Sequence, residues 1–180
     1  MKLKSRAWVW AIVGALLAVL AACDTAEERA EAHFQRGLEL VQQGEGVKAQ
    51  LEFRNALKLN QAHVQARYEF GKIKRSEQDI RSAVKQYLTV VELDGDFLPV
   101  RLELGEIFLL ANRPEDAARH VEVALKIAPD NIRAQAMQAT VDFKNGDVDR
   151  AVERADAVLA EDPDNVTARL VLVAYLMDRG

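Results

Sequence analysis

Cysteine and histidine are scarce in this sequence, and basic residues are outnumbered by acidic ones. The single cysteine, Cys23, excludes an intramolecular disulfide and leaves the thiol without a partner for redox or metal chemistry. Three histidines, His33, His63 and His120, fall at different phases of the chain. None has a second histidine three or four residues away, so no helical metal site is expected and each reads as a partly exposed helix or loop residue. Glycine-rich phosphate loops and nucleophile elbows are missing as well. The carboxylate clusters Glu115-Asp116 and Asp162 to Asp164 stand at helix starts or turns, where capping and the helix dipole account for them. The sequence thus offers no catalytic residue, no metal ligands and no cofactor site. Basic residues number 24 against 28 acidic ones. Three of the basic residues precede Cys23, so the chain beyond it holds 21 against 28, a poor match for nucleic acid or an anionic bilayer face.

Those three residues, Lys2, Lys4 and Arg6, lead into an uncharged apolar run from Ala7 to Leu20. A run of 14 residues is too short for a hydrocarbon core of about 30 Å, which takes roughly 20 residues of helix. The layout is that of a cleaved secretory signal over residues 1–22. Leu20-Ala21-Ala22-Cys23 resembles the bacterial lipobox, whose cysteine becomes the lipidated amino terminus. The resemblance implies lipidation of Cys23 and a membrane-held chain on the periplasmic side of the envelope, since two or three acyl chains anchor firmly. Asp24 resembles the signal that retains such proteins at the inner membrane, with the outer membrane left open. A short acidic leader, 23–29, follows.

From there a period of 34 residues organises the chain. Ala49, Ala83, Ala117 and Ala151 are evenly spaced, and twelve residues before each stand Gly37, Gly71, Gly105 and Ala139. Four units follow, 30–63, 64–97, 98–131 and 132–165, with 166–180 repeating the first helix of a fifth. A glycine inside a helix costs about 1 kcal/mol relative to alanine, so three at one phase imply a close approach. The expected contact is the paired helix of the same hairpin, whose own small residue is the alanine twelve positions on. Ser76-Glu77-Gln78-Asp79 has the spacing of a capping box, Pro114 opens a helix, Pro129-Asp130-Asn131 closes one, and Gly44 and Gly146 mark turns. No stretch reads as a strand. The expectation is an all-α fold, a right-handed superhelix of antiparallel helix pairs.

The period, with its small, small and aromatic positions (Phe53, Tyr87), resembles the tetratricopeptide repeat from about Ala30 to Gly180. Gln61 and Gly95 depart from the phase of Pro129 and Pro163, and Ala155 replaces the aromatic. The resemblance implies a concave face lined by the first helix of each pair, binding a protein or peptide. Helical phase assigns to that face Phe34, Leu38 and Val41, then Gln65, Tyr68, Lys72 and Arg75. Leu102, Glu106 and Leu109 follow, then Arg133, Ala136, Thr140, Phe143 and Lys144. The basic and aromatic members suit an acidic peptide, a carboxylate terminus or an anionic glycan.

With the lipobox and the acidic leader, the run Phe53-Arg54-Asn55-Ala56-Leu57-Lys58-Leu59 resembles proteobacterial repeat lipoproteins associated with exopolysaccharide and PEP-CTERM systems. That resemblance implies an envelope adaptor in exopolysaccharide export. An outer-membrane assembly or secretion pilotin role and an accessory subunit of a cell-wall enzyme stay open beside it. The apolar content of Val166 to Gly180 exceeds one amphipathic stripe, and Gly180 falls at the phase of Gly44 and Gly146. Further repeats of the same chain are therefore expected beyond residue 180.

Overall fold

The computed structural model describes residues 25–179. The signal segment, Cys23, Asp24 and Gly180 lie outside the described residues. Among those described there are nine helices and no strand. They are α1 (Ala26–Gln42), α2 (Gly46–Leu59), α3 (Val64–Ser76), α4 (Ile80–Leu93), α5 (Leu98–Leu110), α6 (Pro114–Ile127), α7 (Ile132–Lys144), α8 (Val148–Glu161) and α9 (Val166–Arg179). The chain is an all-α repeat solenoid, and it falls into two compact units that divide after Ile73.

The repeat is written first in its turns. Gly44, Gln78, Asn112 and Gly146 stand 34 residues apart, and all four have positive φ, at 75°, 61°, 54° and 88°. The amide after each bonds back to a carbonyl five residues upstream: Glu45 to Leu40, Asp79 to Lys74, Arg113 to Phe108 and Asp147 to Asp142. This is the Schellman closure, in which one left-handed residue satisfies carbonyls that a helix end leaves open. The capping box expected at Ser76 to Asp79 is therefore corrected. Ser76 is the last residue of α3, Gln78 is the left-handed residue, and Asp79 caps α4 by accepting from the Ser82 amide at 3.2 Å. A capping box does occur at α1, where Thr25 and Glu28 exchange side chain to backbone bonds of 3.1 and 2.7 Å.

Connections between hairpins carry a second 34-residue series. Asn131 and Asn165 accept from Ala134 and Ala168, and His63 does the same for Ala66 through Nδ1. Six residues after Gln61, Gly95, Pro129 and Pro163, the side chains of Arg67, Arg101, Gln135 and Arg169 reach back and donate to those four backbone carbonyls. The phase needs a carbonyl and not a proline ring, which is why Gln61 and Gly95 serve there.

All eight small residues at the repeat phases, Gly37, Ala49, Gly71, Ala83, Gly105, Ala117, Ala139 and Ala151, are buried. At Gly37 and Gly105 the close approach is to the paired helix, and the side chain met first there is the one sixteen positions on, Phe53 or Val121. A methyl at Gly37 would clash with the edge of the Phe53 ring, and one at Gly105 would lie 2.9 Å from Val121 Cγ2 and 3.3 Å from Met137 Sδ. Glycine thus makes a hole for a knob on the facing helix. In the first unit Phe34, Ala49, Phe53, Ala56 and Ala66 form the core. The second unit has one core around Leu102, Val121, Ala124, Ala134 and Met137, and another around Ala136, Ala139, Ala151, Ala155, Val158, Ala168 and Val171.

Candidate functional site

Burial divides the proposed groove residues. Phe34, Leu102 and Ala136 are core residues, which corrects their assignment to the outward face. Each stands three residues before a small residue of the repeat and so shares its inward face. Glu106, Thr140, Phe143 and Lys144 do converge, together with Leu109, Leu110, Met137, Thr167, Leu170, Val171 and Ala174, on a cavity of about 510 Å³. Three parallel first helices, α5, α7 and α9, supply its walls, all within the second unit. The walls are mainly apolar, with polar groups at Glu106, Thr140, Lys144 and Thr167.

The charges beside this cavity are already matched. Arg75 donates to Glu103 and, at 2.7 Å, to Glu106; Arg133 donates to Glu103 at 3.2 Å and to Glu106. Two carboxylates one helical turn apart on α5 are thus gripped from either side by one guanidinium each. Burial alone would raise the Glu106 pKa, but the hydrogen bonds from Arg133 and Arg75 outweigh it and hold the carboxyl below its ordinary range. Burial opposes the charge on both arginines too, and the two glutamates raise them in spite of it. Lys144 donates to the neutral Asn112 side chain at 2.8 Å. In the first unit Lys72 pairs with Glu69 at 2.9 Å and lies 5.4 Å from the Tyr68 ring centroid. The expectation of a basic groove for an acidic partner gives way to a self-neutralised one. Glu103 was missing from the sequence reading, and its only signal was its place one turn before Glu106.

Two of the three histidines are more embedded than expected. His63 and His120 are buried, whereas His33 is half-buried and bonds Glu52 at 2.6 Å. His63 also faces Glu31 at 3.1 Å and packs 4.8 Å from the Phe34 ring. His120 stacks on Phe108 at 5.6 Å, and its Nδ1 accepts from Arg101 at 3.2 Å. Burial first, and the Arg101 charge second, push its pKa down to about 4. Among the described residues no group of three or more His, Cys, Asp and Glu side chains is placed to hold a metal. Nor is any described helix long and apolar enough to cross a membrane.

Tetratricopeptide-repeat profiles match residues 74–141 and 136–180, together more than half of the chain. The chain belongs to the tetratricopeptide-repeat family, whose members are in general non-enzymatic scaffolds for protein–protein interaction. Solved structures agree in fold. The chain is similar to YrrB, described as a tetratricopeptide-repeat protein with an unusual peptide-binding site, at 18% identity and a TM-score of 0.70, over 82% of this chain and 77% of that one. PilF of Pseudomonas aeruginosa gives 19% and 0.68, covering 86% and 70% of the two chains. MamA of Desulfovibrio magneticus RS-1 gives 15% and 0.70, covering 78% and 80%. No curated protein sequence matches significantly.

Proposed function

We propose that this chain is a lipid-anchored adaptor on the periplasmic side of a bacterial envelope, holding a protein or peptide partner in the groove of α5, α7 and α9. The cavity of about 510 Å³ carries the reading, because it sets Thr140 and Lys144 among mainly apolar walls. Such a site suits partner side chains of leucine or phenylalanine size flanked by backbone that needs hydrogen bonds. Support for the anchor comes from the lipobox-like Leu20-Ala21-Ala22-Cys23 after a short apolar run, and Asp24 favours the inner membrane. The partner pathway that fits the sequence resemblance is exopolysaccharide export.

Crosslinking in the native host tests the groove. A photoreactive residue at Leu110, which is exposed at the cavity wall, should capture a discrete partner, and Leu170→Arg, at another exposed wall residue, should abolish the capture. Equal capture from the exposed Arg119 on α6, unaffected by Leu170→Arg, would place the interaction elsewhere. The anchor has its own check: Cys23→Ser should release the chain from membranes, and an unlipidated chain that still sediments with them would refute the assignment.

A further inference from the structure

In the first unit, α2 turns two kinds of side chain outward together. Opposite its buried residues Ala49, Phe53 and Ala56 stand Val47, Leu51, Arg54 and Lys58, all exposed, Val47 at 82% and Leu51 at 49%. Spacings of four, three and four residues set them in one stripe about 17 Å long. Neither Arg54 nor Lys58 has an ion-pair partner among the described residues. No acid interrupts the stripe, because Glu52 is turned aside to His33 at 2.6 Å. The same four phases read differently on the other second helices of the hairpins. On α4 they hold Arg81, Lys85, Leu88 and Glu92, on α6 two acids alternate with two bases, and on α8 they hold Asp149, Glu153, Asp156 and Ala160. All these positions are exposed as well. Of the four helices, α2 is the one that joins two large apolar residues to two cations with no acid between them.

The acidic excess of the chain does not extend to this unit. Residues 25–73 carry seven basic and seven acidic side chains, so the surplus lies in Asp24 and in the second unit, which holds 14 against 20. Cations beside short apolar side chains match an anionic phospholipid surface, where the charges rest at the phosphates and the apolar groups enter just beneath them. The tether selects that surface over an acidic protein. Cys23 stands three residues before Ala26, the first residue of α1, and three residues reach about 10 Å at most. In the antiparallel hairpin the carboxyl end of α2, with Arg54 and Lys58, returns beside that end of α1. We propose that the outer stripe of α2 docks on the anionic phospholipid leaflet that holds the Cys23 lipid, with Arg54 and Lys58 at the phosphates and Val47 and Leu51 below them. The inference rests on the lipid-anchor reading. Each cation raises the docked population about fivefold (about 1 kcal/mol), so the pair gives about 25-fold. That is too little to recruit a free chain and enough to orient one already held at the surface.

Both tryptophans of the sequence, Trp8 and Trp10, precede Cys23, so Leu51→Trp gives the chain from Cys23 onward a single reporter on the stripe. Coupling its one thiol to a maleimide-headgroup lipid tethers it to vesicles whether or not the cell lipidates it. On vesicles of brominated phosphatidylcholine mixed with phosphatidylglycerol the tryptophan should be quenched, and on brominated phosphatidylcholine alone it should not. Adding Arg54→Glu and Lys58→Glu should cut the docked fraction by about tenfold or more with helicity unchanged. An unquenched tryptophan on the anionic vesicles would overturn the proposal, while the anchor reading stands or falls separately on the fractionation of Cys23→Ser. Quenching that survives the double reversal, or that Ala160→Trp on α8 matches, would overturn it too. A shift of the tryptophan emission without vesicles, lost on dilution, would assign the stripe to a second copy of the chain and overturn the proposal as well.

Discussion

Gly37→Ala is expected to destabilise the first unit even though alanine is the better helix former. Relieving the glycine gains about 1 kcal/mol in a helix interior. Against that, the new methyl would lie 2.6 Å from Phe53 Cδ1, where carbon atoms ordinarily meet at about 3.5 to 4.0 Å. Phe53 is fully buried, so its ring cannot swing into solvent and either the ring or the helix must shift by about an ångström. Overpacking of this kind costs about 1 to 3 kcal/mol, and a clash with a fixed ring belongs at the upper end, leaving a net loss of about 1 to 2 kcal/mol. Phe53→Ala alone should cost about 3 to 5 kcal/mol through the cavity it leaves. In the double variant the methyl at position 37 fills part of that cavity, which reproduces the native Ala139 and Ala155 pairing. The two losses should then fall short of additivity by about 1 to 3 kcal/mol. Urea unfolding of the chain from Asp24 onward, followed by circular dichroism, reads all four corners of the cycle. Gly46→Ala, which meets nothing within 4 Å, serves as the control and should be close to neutral. Additivity within about 0.5 kcal/mol, or a stabilised Gly37→Ala, would show that the glycine does not make room for the ring.

Reversal of Arg75 and Arg133 to glutamate would put four carboxylates together where two matched pairs now stand. The loss should be about 1 to 3 kcal/mol in urea once solvent screening is allowed for, and an unchanged midpoint would mean the pairs contribute nothing. His120 is held neutral in the fold, so the unfolded chain binds the extra proton. Stability from this group is complete above the unfolded pKa of about 6.5 and is lost as pH falls toward about 4; His120→Gln should flatten the upper part of that slope. Gln78→Gly should stabilise the fold against urea by about 0.5 to 1 kcal/mol, because a left-handed residue with a side chain costs about 1 to 2 kcal/mol and glycine returns part of that as unfolded-chain entropy. A lower midpoint would show that the Gln78 side chain contributes more than its backbone strain costs.

The 34-residue period made the fold legible, because each repeat must present the same holes and knobs to its neighbours. The left-handed turns at Gly44 and Gly146 were legible for a related reason, since glycine is cheap at positive φ. Gln78 and Asn112 hold the same conformation without that signature, and the turn at Gln78 consequently read as a capping box. The groove was legible at Glu106, Leu109, Thr140, Phe143 and Lys144, which line the cavity, and was misassigned at Phe34, Leu102 and Ala136. Successive residues are about 100° apart, so Leu102 and Ala136 turn inward while Glu106 and Thr140, one residue past the small positions, turn toward the cavity. Backbone carbonyls at Gln61, Gly95, Pro129 and Pro163 leave no mark on the residues that own them. Their readable trace was the row Arg67, Arg101, Gln135 and Arg169. Ion pairs between residues 27 to 31 positions apart were hidden until helix packing set the neighbouring first helices side by side.

The matched charges bear directly on how a partner would be held. A carboxylate from a partner that approached Arg75 or Arg133 would have to displace Glu103 or Glu106, exchanging one ion pair for another at little net gain. An apolar side chain seated among Leu109, Met137, Phe143 and Val171 meets no such competition, and its burial is worth about 1.5 to 3 kcal/mol. Two such anchors exceed what a rim contact at Lys144 can add, given that an exposed ion pair is worth about 1 kcal/mol at most. Partner affinity for the second unit should therefore change by less than about threefold between roughly 0.05 and 0.5 M salt, although the Debye length shrinks several-fold over that range. Titration of the captured partner against the purified chain by isothermal calorimetry at both salt concentrations measures this. A loss of about tenfold or more at high salt would mean that the guanidinium groups are opened for the partner, and that charge and not the apolar floor supplies the affinity.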